Sequence, residues 1–283
     1  MTTDTGDATT RDVAARDRLQ HFIVEALASR SQCRDRLVFK GGTLLRTCWR
    51  EEYRYSEDLD FDWITERGDN RQGLGRYIQK ALTDASRRAQ ADLNWRDQRG
   101  RLAITWTGPD GRPNTIKIDL SRRTYPNYTP STREWTVIPR YPGLTGRHTI
   151  VGYTLEAMLT AKLTCLANPS RLAPRDFLDT DELLHSDEVD IQEALKSFLA
   201  THFPTLTKPP SQPDIYDALL LPGINEYDAL SEKWSARATQ GIVPSHRRDF
   251  DAIFDSVAIG LSAAIQALKL PPPPMIGPSG IEL

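Results

Sequence analysis

The stretch that most constrains this chain is Ser56-Glu57-Asp58-Leu59-Asp60-Phe61-Asp62-Trp63, where acidic and apolar residues alternate one for one. A period of two belongs to a strand, so Leu59, Phe61 and Trp63 point to one face while Ser56, Asp58, Asp60 and Asp62 point to the other. Such a strand needs a sheet covered on its apolar side and open on its acidic side. Side chains two apart lie about 6.5–7 Å from each other, which makes Asp58 and Asp60 neighbours. Carboxylates this close repel, and one tends to stay protonated unless a cation intervenes. Mg²⁺ or Mn²⁺ fits that need, because a hard cation takes carboxylate oxygens together with water and substrate phosphates. An isolated Asp-x-Asp is more often just the wet side of a sheet, so the neighbouring elements decide its meaning.

Two of them add weight. Leu102, Ile104 and Trp106 alternate with small or polar residues, Gly108-Pro109-Asp110-Gly111 turns the chain, and Ile116, Ile118 and Leu120 alternate again, which predicts a β-hairpin. By parity Asp119 leaves the core side with Lys117, and in a shared sheet it could join Asp58 and Asp60 as a metal ligand or act as a catalytic base. Two cations about 3.5–4 Å apart would then serve the attacking and leaving oxygens of a displacement at phosphorus. Ahead of the acidic strand, Phe39-Lys40-Gly41-Gly42-Thr43-Leu44-Leu45 sets two glycines between an apolar strand and a helix. Glycines let backbone amides approach a phosphate, and a helix start favours the negative charge. Gly41, Gly42, Thr43 and Ser56 are therefore the expected nucleotide contacts. The pattern is not a P-loop, since no GxxxxGK[ST] occurs.

The 283 residues can bury a large core, and the order of signals (helix, strands with helices, then helices) reads as α+β: a mixed sheet with flanking helices followed by a helical half. The expected divisions are a disordered start at 1–10, a catalytic domain at 11–150, a helical domain at 151–270 that completes the active site, and a disordered Pro/Gly-rich tail at 271–283. The first helix is predicted over Arg11–Ser29 and another over Leu74–Gln90. The overall charge of −2 is neutral ground, but between Arg96 and Arg147 ten Lys or Arg stand against four acids, a surplus of six that suits an anionic partner. Three scattered cysteines match neither a zinc-site spacing nor a disulfide framework. With no apolar leader in the first residues and no continuous apolar span, the reading is a cytoplasmic protein with no membrane partner.

Later in the chain, Leu155, Met158, Leu159 and Leu166 make an apolar stripe with Lys162 in its middle. The lysine either runs its stem out to solvent or contacts a phosphate. Arg175-Asp176-Phe177-Leu178-Asp179 follows Pro174, which suits a helix start, so these acids could simply complement the helix dipole.

Taken together, Phe39–Asp62 resembles the signature of the AbiEii/AbiGii toxin family of the DNA polymerase β-like nucleotidyltransferase superfamily, a FKGGTxL stretch followed by R-x-S-x-D-L-D-F. The lysine helix and the R-D-x-x-D motif have counterparts there too, and the resemblance spans roughly Leu19–Leu184. It implies a polymerase β-like nucleotidyltransferase fold, catalytic roles for Asp58, Asp60, Lys162 and Asp176, and a less firm one for Asp179. It also implies an NTP substrate, a divalent metal and a cognate antitoxin. Mycobacterial-type relatives append nucleotides to the 3′ end of tRNA and so block charging, which makes RNA, specifically tRNA, the expected acceptor. The alternatives are transfer to a small molecule or a protein hydroxyl, and an inactive member that only binds nucleotide or a partner.

Overall fold

The computed structural model describes residues 5–64, 71–98, 101–109, 111–122, 129–203, 210–239, 241 and 248–268. Two compact units divide the chain: Met1–Thr124 with Ser131–Thr154 and Ala236–Arg247, and Tyr125–Pro130 with Leu155–Ser235 and Arg248–Leu283.

The first unit opens with α1 (Thr5–Ala28) and the short α2 (Ser31–Arg34). Strand β1 (Leu37–Lys40) runs into α3 (Gly41–Leu44), which continues as a π-helical turn over Leu45–Trp49. Then follow β2 (Asp58–Trp63), α4 (Arg71–Ala89), β3 (Leu93–Gln98), β4 (Arg101–Thr107), β5 (Pro113–Arg122), β6 (Thr132–Thr136) and β7 (Thr149–Tyr153). The seven strands form one sheet in the order β3-β4-β5-β2-β1-β7-β6. It is mixed: β2 runs parallel to β5 and β1 parallel to β7, while the other neighbours are antiparallel.

The alternation of β2 explains its central place. Leu59 and Phe61 are fully buried, and Phe61 meets Phe39 in register on β1 with ring centroids 4.8 Å apart. Ile104, Ile116 and Ile118 continue the same apolar face across β4 and β5. Helices α1 and α4 pack on each other with Phe22, Ile23 and Leu27 from one and Ile78, Leu82 and Ala85 from the other, all buried. Arg16 of α1 reaches Asn114 of β5 at 3.4 Å, on the side shared by Ile116 and Ile118. Burying each such side chain stabilises the fold by about 1.5–3 kcal/mol. Phe61→Ala would also leave a cavity and cost about 3–5 kcal/mol.

The second unit is helical: α5 (Leu155–Leu166), a 3₁₀ turn at Pro169–Arg171, α6 (Pro174–Leu184), α7 (Ile191–His202), α8 (Gln212–Asn225), α9 (Tyr227–Thr239, its last residues assigned to the first unit) and α10 (Phe250–Ala267). Pro174 occupies the first turn of α6, as its position suggested. By length and composition α10 could cross a membrane. Its buried residues Phe250, Ile253, Phe254, Val257, Leu261, Ala264 and Ile265 recur at helical spacing, and the helix packs on α6 and α8.

Several expectations shift. Helix α1 begins at Thr5, ahead of the expected Arg11; the rest of the start expected to be disordered, residues 1–4, and the tail at 271–283 lie outside the described residues. The helix expected after the two glycines already begins at Gly41. Strands β3, β6 and β7 had no place in the sequence reading.

Candidate active site

Gly41, directly after β1, has φ +79°, a left-handed conformation that side chains disfavour, and a Cβ there would overlap the carboxylate of Asp60. Glycine therefore lets an acidic side chain from β2 lie directly on the backbone of the bend. At Gly42 a Cβ would overlap the guanidinium of Arg54, which is itself buried and donates from Nη1 to the carbonyl of Tyr55 at 3.0 Å. The hydroxyl of Thr43 donates to the carbonyl of Asp58, tying α3 to the start of β2. That hydroxyl hydrogen is engaged within the protein, so Thr43 serves the bend by holding the acidic strand in place. Ser56 is 9% exposed just ahead of that strand.

Sheet register then lines up a row of charge. Arg101 of β4 stands opposite Asp119 of β5, Asp119 opposite Asp60 of β2, and Asp60 opposite Lys40 of β1. In-register neighbours are about 4.8 Å apart, so the two like-charged carboxylates are flanked by a cation at each end. Arg101 Nε lies 2.8 Å from Asp119 Oδ1, out of line for a hydrogen bond. Lys40 Nζ pairs with Asp62 Oδ1 at 2.5 Å, and the hydroxyl of Tyr153 donates to the other oxygen of Asp62. Asp62, expected to extend the open acidic edge, is 1% exposed and closes that edge instead. Asp58 and Asp60 are half-buried.

The remaining candidates come together in the helical unit. Lys162 of α5 is 8% exposed, so it does not run out to solvent; its Nζ lies 2.7 Å from Asp176 Oδ1 and 2.6 Å from Asp179 Oδ2, both on α6. An ammonium taken from water needs such partners. The Cys165 thiol, one turn along α5, is pushed up by burial and by Asp176. Cys33 and Cys48 are buried, with thiols pushed up to about 11 and about 12 by desolvation, and all three cysteines are free.

Among the described residues no group of three or more His, Cys, Asp or Glu side chains could hold a metal ion as a ready-made cage. A hard cation does not require one. Mg²⁺ is commonly held by one or two carboxylates with substrate phosphates and water completing the shell, and the donor pair Asp58 and Asp60 beside an amide-lined bend has that character. Asp119 stands beside Asp60 in the register.

Sequence comparison places this geometry. Residues 23–256 match the family described as Nucleotidyl transferase AbiEii toxin, Type IV TA system. The chain belongs to that family. It is accordingly a nucleotidyltransferase, of the toxin kind. No curated protein matches it. Among solved structures it is similar to MenT4, nucleotidyltransferase toxin Rv2826c from Mycobacterium tuberculosis, with TM-score 0.56 and 18% identity over 93% of this chain and 95% of that one. JHP933 from Helicobacter pylori matches with TM-score 0.49 and 18% identity over 90% of each chain. The first of these likenesses supports the α+β fold.

Lys40 and Arg54 were quoted in the sequence motif without a role. Lys40 shares the parity of the acidic face once β1 is paired antiparallel with β2, a register that the local sequence does not reveal.

Proposed function

We propose that this AbiEii-family chain transfers a nucleoside monophosphate from an NTP to an RNA hydroxyl, the 3′ end of tRNA being the acceptor, and so halts translation in the cytoplasm until a cognate antitoxin opposes it. The observation that carries this reading is the carboxylate of Asp60 seated on Gly41, with Asp58 on the same strand face and Asp119 directly across. A bend that accommodates phosphates thus lies against the acids that would neutralise a bound metal–triphosphate.

In this mechanism the amides at Gly41, Gly42 and Thr43, with Ser56, hold the triphosphate. Asp58 and Asp60, with Asp119 as a third oxygen donor, would hold Mg²⁺ or Mn²⁺, which supplies charge neutralisation at the phosphates when bound. The RNA hydroxyl forms a bond to the α-phosphorus, the bond to pyrophosphate breaks, and the proton passes to Asp119. Within the helical unit, Asp176 and Asp179 hold the ammonium of Lys162. Positioning and charge carry most of such a reaction.

The test uses α-labelled NTP, Mg²⁺, total RNA and a cell lysate, followed by fractionation of the label. Asp58→Ala and Asp60→Ala are expected to lower transfer to RNA at least ~100-fold with folding unchanged. Undiminished transfer by Asp58→Ala would remove the carboxylate core of the proposal. Label appearing in protein or in small molecules, with RNA unlabelled, would keep the transferase chemistry and reject the acceptor.

A further inference from the structure

The sheet carries a second feature beside the acidic row. Arg96 of β3, Ala103 of β4, Lys117 of β5 and Asp58 of β2 stand in one register row that crosses four strands. Residues in register share a face, so Arg96 and Lys117 lie on the same side of the sheet as Asp58 and Asp60, opposite the buried Leu102, Ile104, Ile116 and Ile118. This side is open: Asn94, Arg96, Arg101, Thr105, Thr115 and Lys117 are all exposed.

An exposed sheet face is usually knitted together by opposite charges across strands. Here Arg101 has Asp119, but Arg96 and Lys117 have no ion pair among the described residues, even though Asp58 stands opposite Lys117. Their spacing follows from the sheet. Lys117 is one strand, about 4.8 Å, from Asp58, and Arg96 is two strands, about 10 Å, beyond Lys117. Only Ala103 lies between the two cations, which leaves a flat gap. Among the described residues the face offers hydroxyls at Thr105 and Thr115 and no aromatic ring, because Trp95 and Trp106 belong to the other parity. It therefore provides phosphate contacts without a platform for stacking bases.

We infer that the open face of β3, β4 and β5 is the track along which the acceptor RNA lies, with Lys117 and Arg96 gripping consecutive parts of its backbone and leading it to Asp58. The inference rests on the proposed transfer to RNA, and it adds where the RNA binds and how. Recognition is through phosphates, independent of base sequence. A double-helical stem suits such a surface better than an unpaired strand, since unpaired strands are held largely by stacking on aromatic side chains. An acidic protein is the competing occupant; it lacks the regular row of anions to match cations on successive strands.

The experiment measures binding of unfractionated tRNA to the full chain without NTP or metal, across a salt series, so catalysis plays no part in the readout. Each phosphate contact contributes about 0.7–0.9 to the slope of log K against log salt. Lys117→Ala with Arg96→Ala should lower the slope by roughly 1.5 and weaken binding at least ~10-fold. Thr115→Lys, which adds a cation to the same face, should tighten binding and steepen the slope. Unchanged affinity and slope in the double variant, or loss of binding only to an acidic protein, would overturn the inference even if RNA is still modified. Wild-type binding with the expected slope but no transfer would instead overturn the catalytic proposal and leave this one standing.

Discussion

At Gly41 a left-handed backbone of φ +79° coincides with a carboxylate that occupies the space of a Cβ. Gly41→Ala is expected to cost about 1–2 kcal/mol in stability from backbone strain alone. It should also lower nucleotidyl transfer at least ~100-fold, because Asp60 must move. Gly75 of α4 gives the contrasting control, since nothing lies within 4 Å of a Cβ there. Gly75→Ala should stabilise by about 0.5–1 kcal/mol and leave activity unchanged, as denaturant melts and transfer assays would register. Titration at single residues is equally specific. His21 of α1 is fully buried, and burial lowers its pKa; Asp17 pulls it back up, while Arg46 and Arg140 push it further down. Its folded value thus lies below the ordinary 6.5. As pH falls through the ordinary value, the unfolded chain takes up a proton that the folded chain refuses, so stability is complete above that point and declines below it. Glu25 acts in the same direction at lower pH. Burial alone would raise its carboxyl, but Arg88, Thr145 and Gly146 more than offset this and hold it below 4.5, so its contribution is complete above that value and is lost as pH falls from there through the lower folded value. Unfolding free energy measured from about pH 7 to about pH 5 should therefore decline with a slope of at most about 1.4 kcal/mol per pH unit from His21. His21→Gln should flatten that segment and leave the lower-pH decline in place; an unflattened profile would assign the loss to another group.

The approach to β2 is held by an element rather than by a single contact. Arg46, in the π-helical turn, is 3% exposed and donates to both oxygens of Asp17 at 3.0 and 2.9 Å, to the carbonyl of Glu51 at 2.8 Å and to that of Tyr53. Its guanidinium lies 4.5 Å from the ring centre of Tyr55, and Tyr141 donates to Asp17 at 2.5 Å. One arginine thus fixes the peptide that delivers Ser56 and Asp58. Arg46→Met would strand the Asp17 carboxylate in the interior and should cost about 3–5 kcal/mol, whereas the isosteric Asp17→Asn keeps hydrogen bonding and should cost less. Chemical denaturation of both variants checks that order; equal, small losses would mean that the network does not hold the segment. The legibility of elements in the sequence follows the same physics. Strand β2 and the β4–β5 hairpin alternate strictly in sequence, with Leu59, Phe61, Ile104, Ile116 and Ile118 buried on one face, and both were readable. Strand β3 carries only Leu93 and Trp95 as apolar residues and lies at the sheet edge, as β6 does, so neither repeats a pattern long enough to detect. The acids of the site were legible because their spacing is local. The Lys40–Asp62 pair was not, since it depends on an antiparallel register between strands separated by a helix and a π turn.

Across the molecule, charge is buried in more places than packing alone requires, and the helical unit holds the most demanding case. Lys162 sits between Asp176 and Asp179, with all three between 0% and 8% exposed. Buried ionic clusters rarely stabilise a fold more than apolar side chains of similar volume would, because desolvation offsets most of the attraction. Stability therefore gives little reason for a lysine and two aspartates where leucines surround them on α5 and α6. The two explanations differ in what simultaneous replacement does. Asp179→Asn alone, at the fully buried position, should destabilise by several kcal/mol, roughly 3–5, by leaving the ammonium undercompensated. The combined variant Lys162→Met, Asp176→Leu, Asp179→Leu removes the charge conflict altogether. If the cluster exists for chemistry, this protein should melt at or above the wild-type temperature and transfer at least ~100-fold less nucleotide. If it exists only to fix the packing of α5 on α6, the same protein should retain transfer. A stable, inactive triple variant would also explain why Lys162 stands out in the sequence: it is a charge placed on an apolar stripe at a cost that only function recovers.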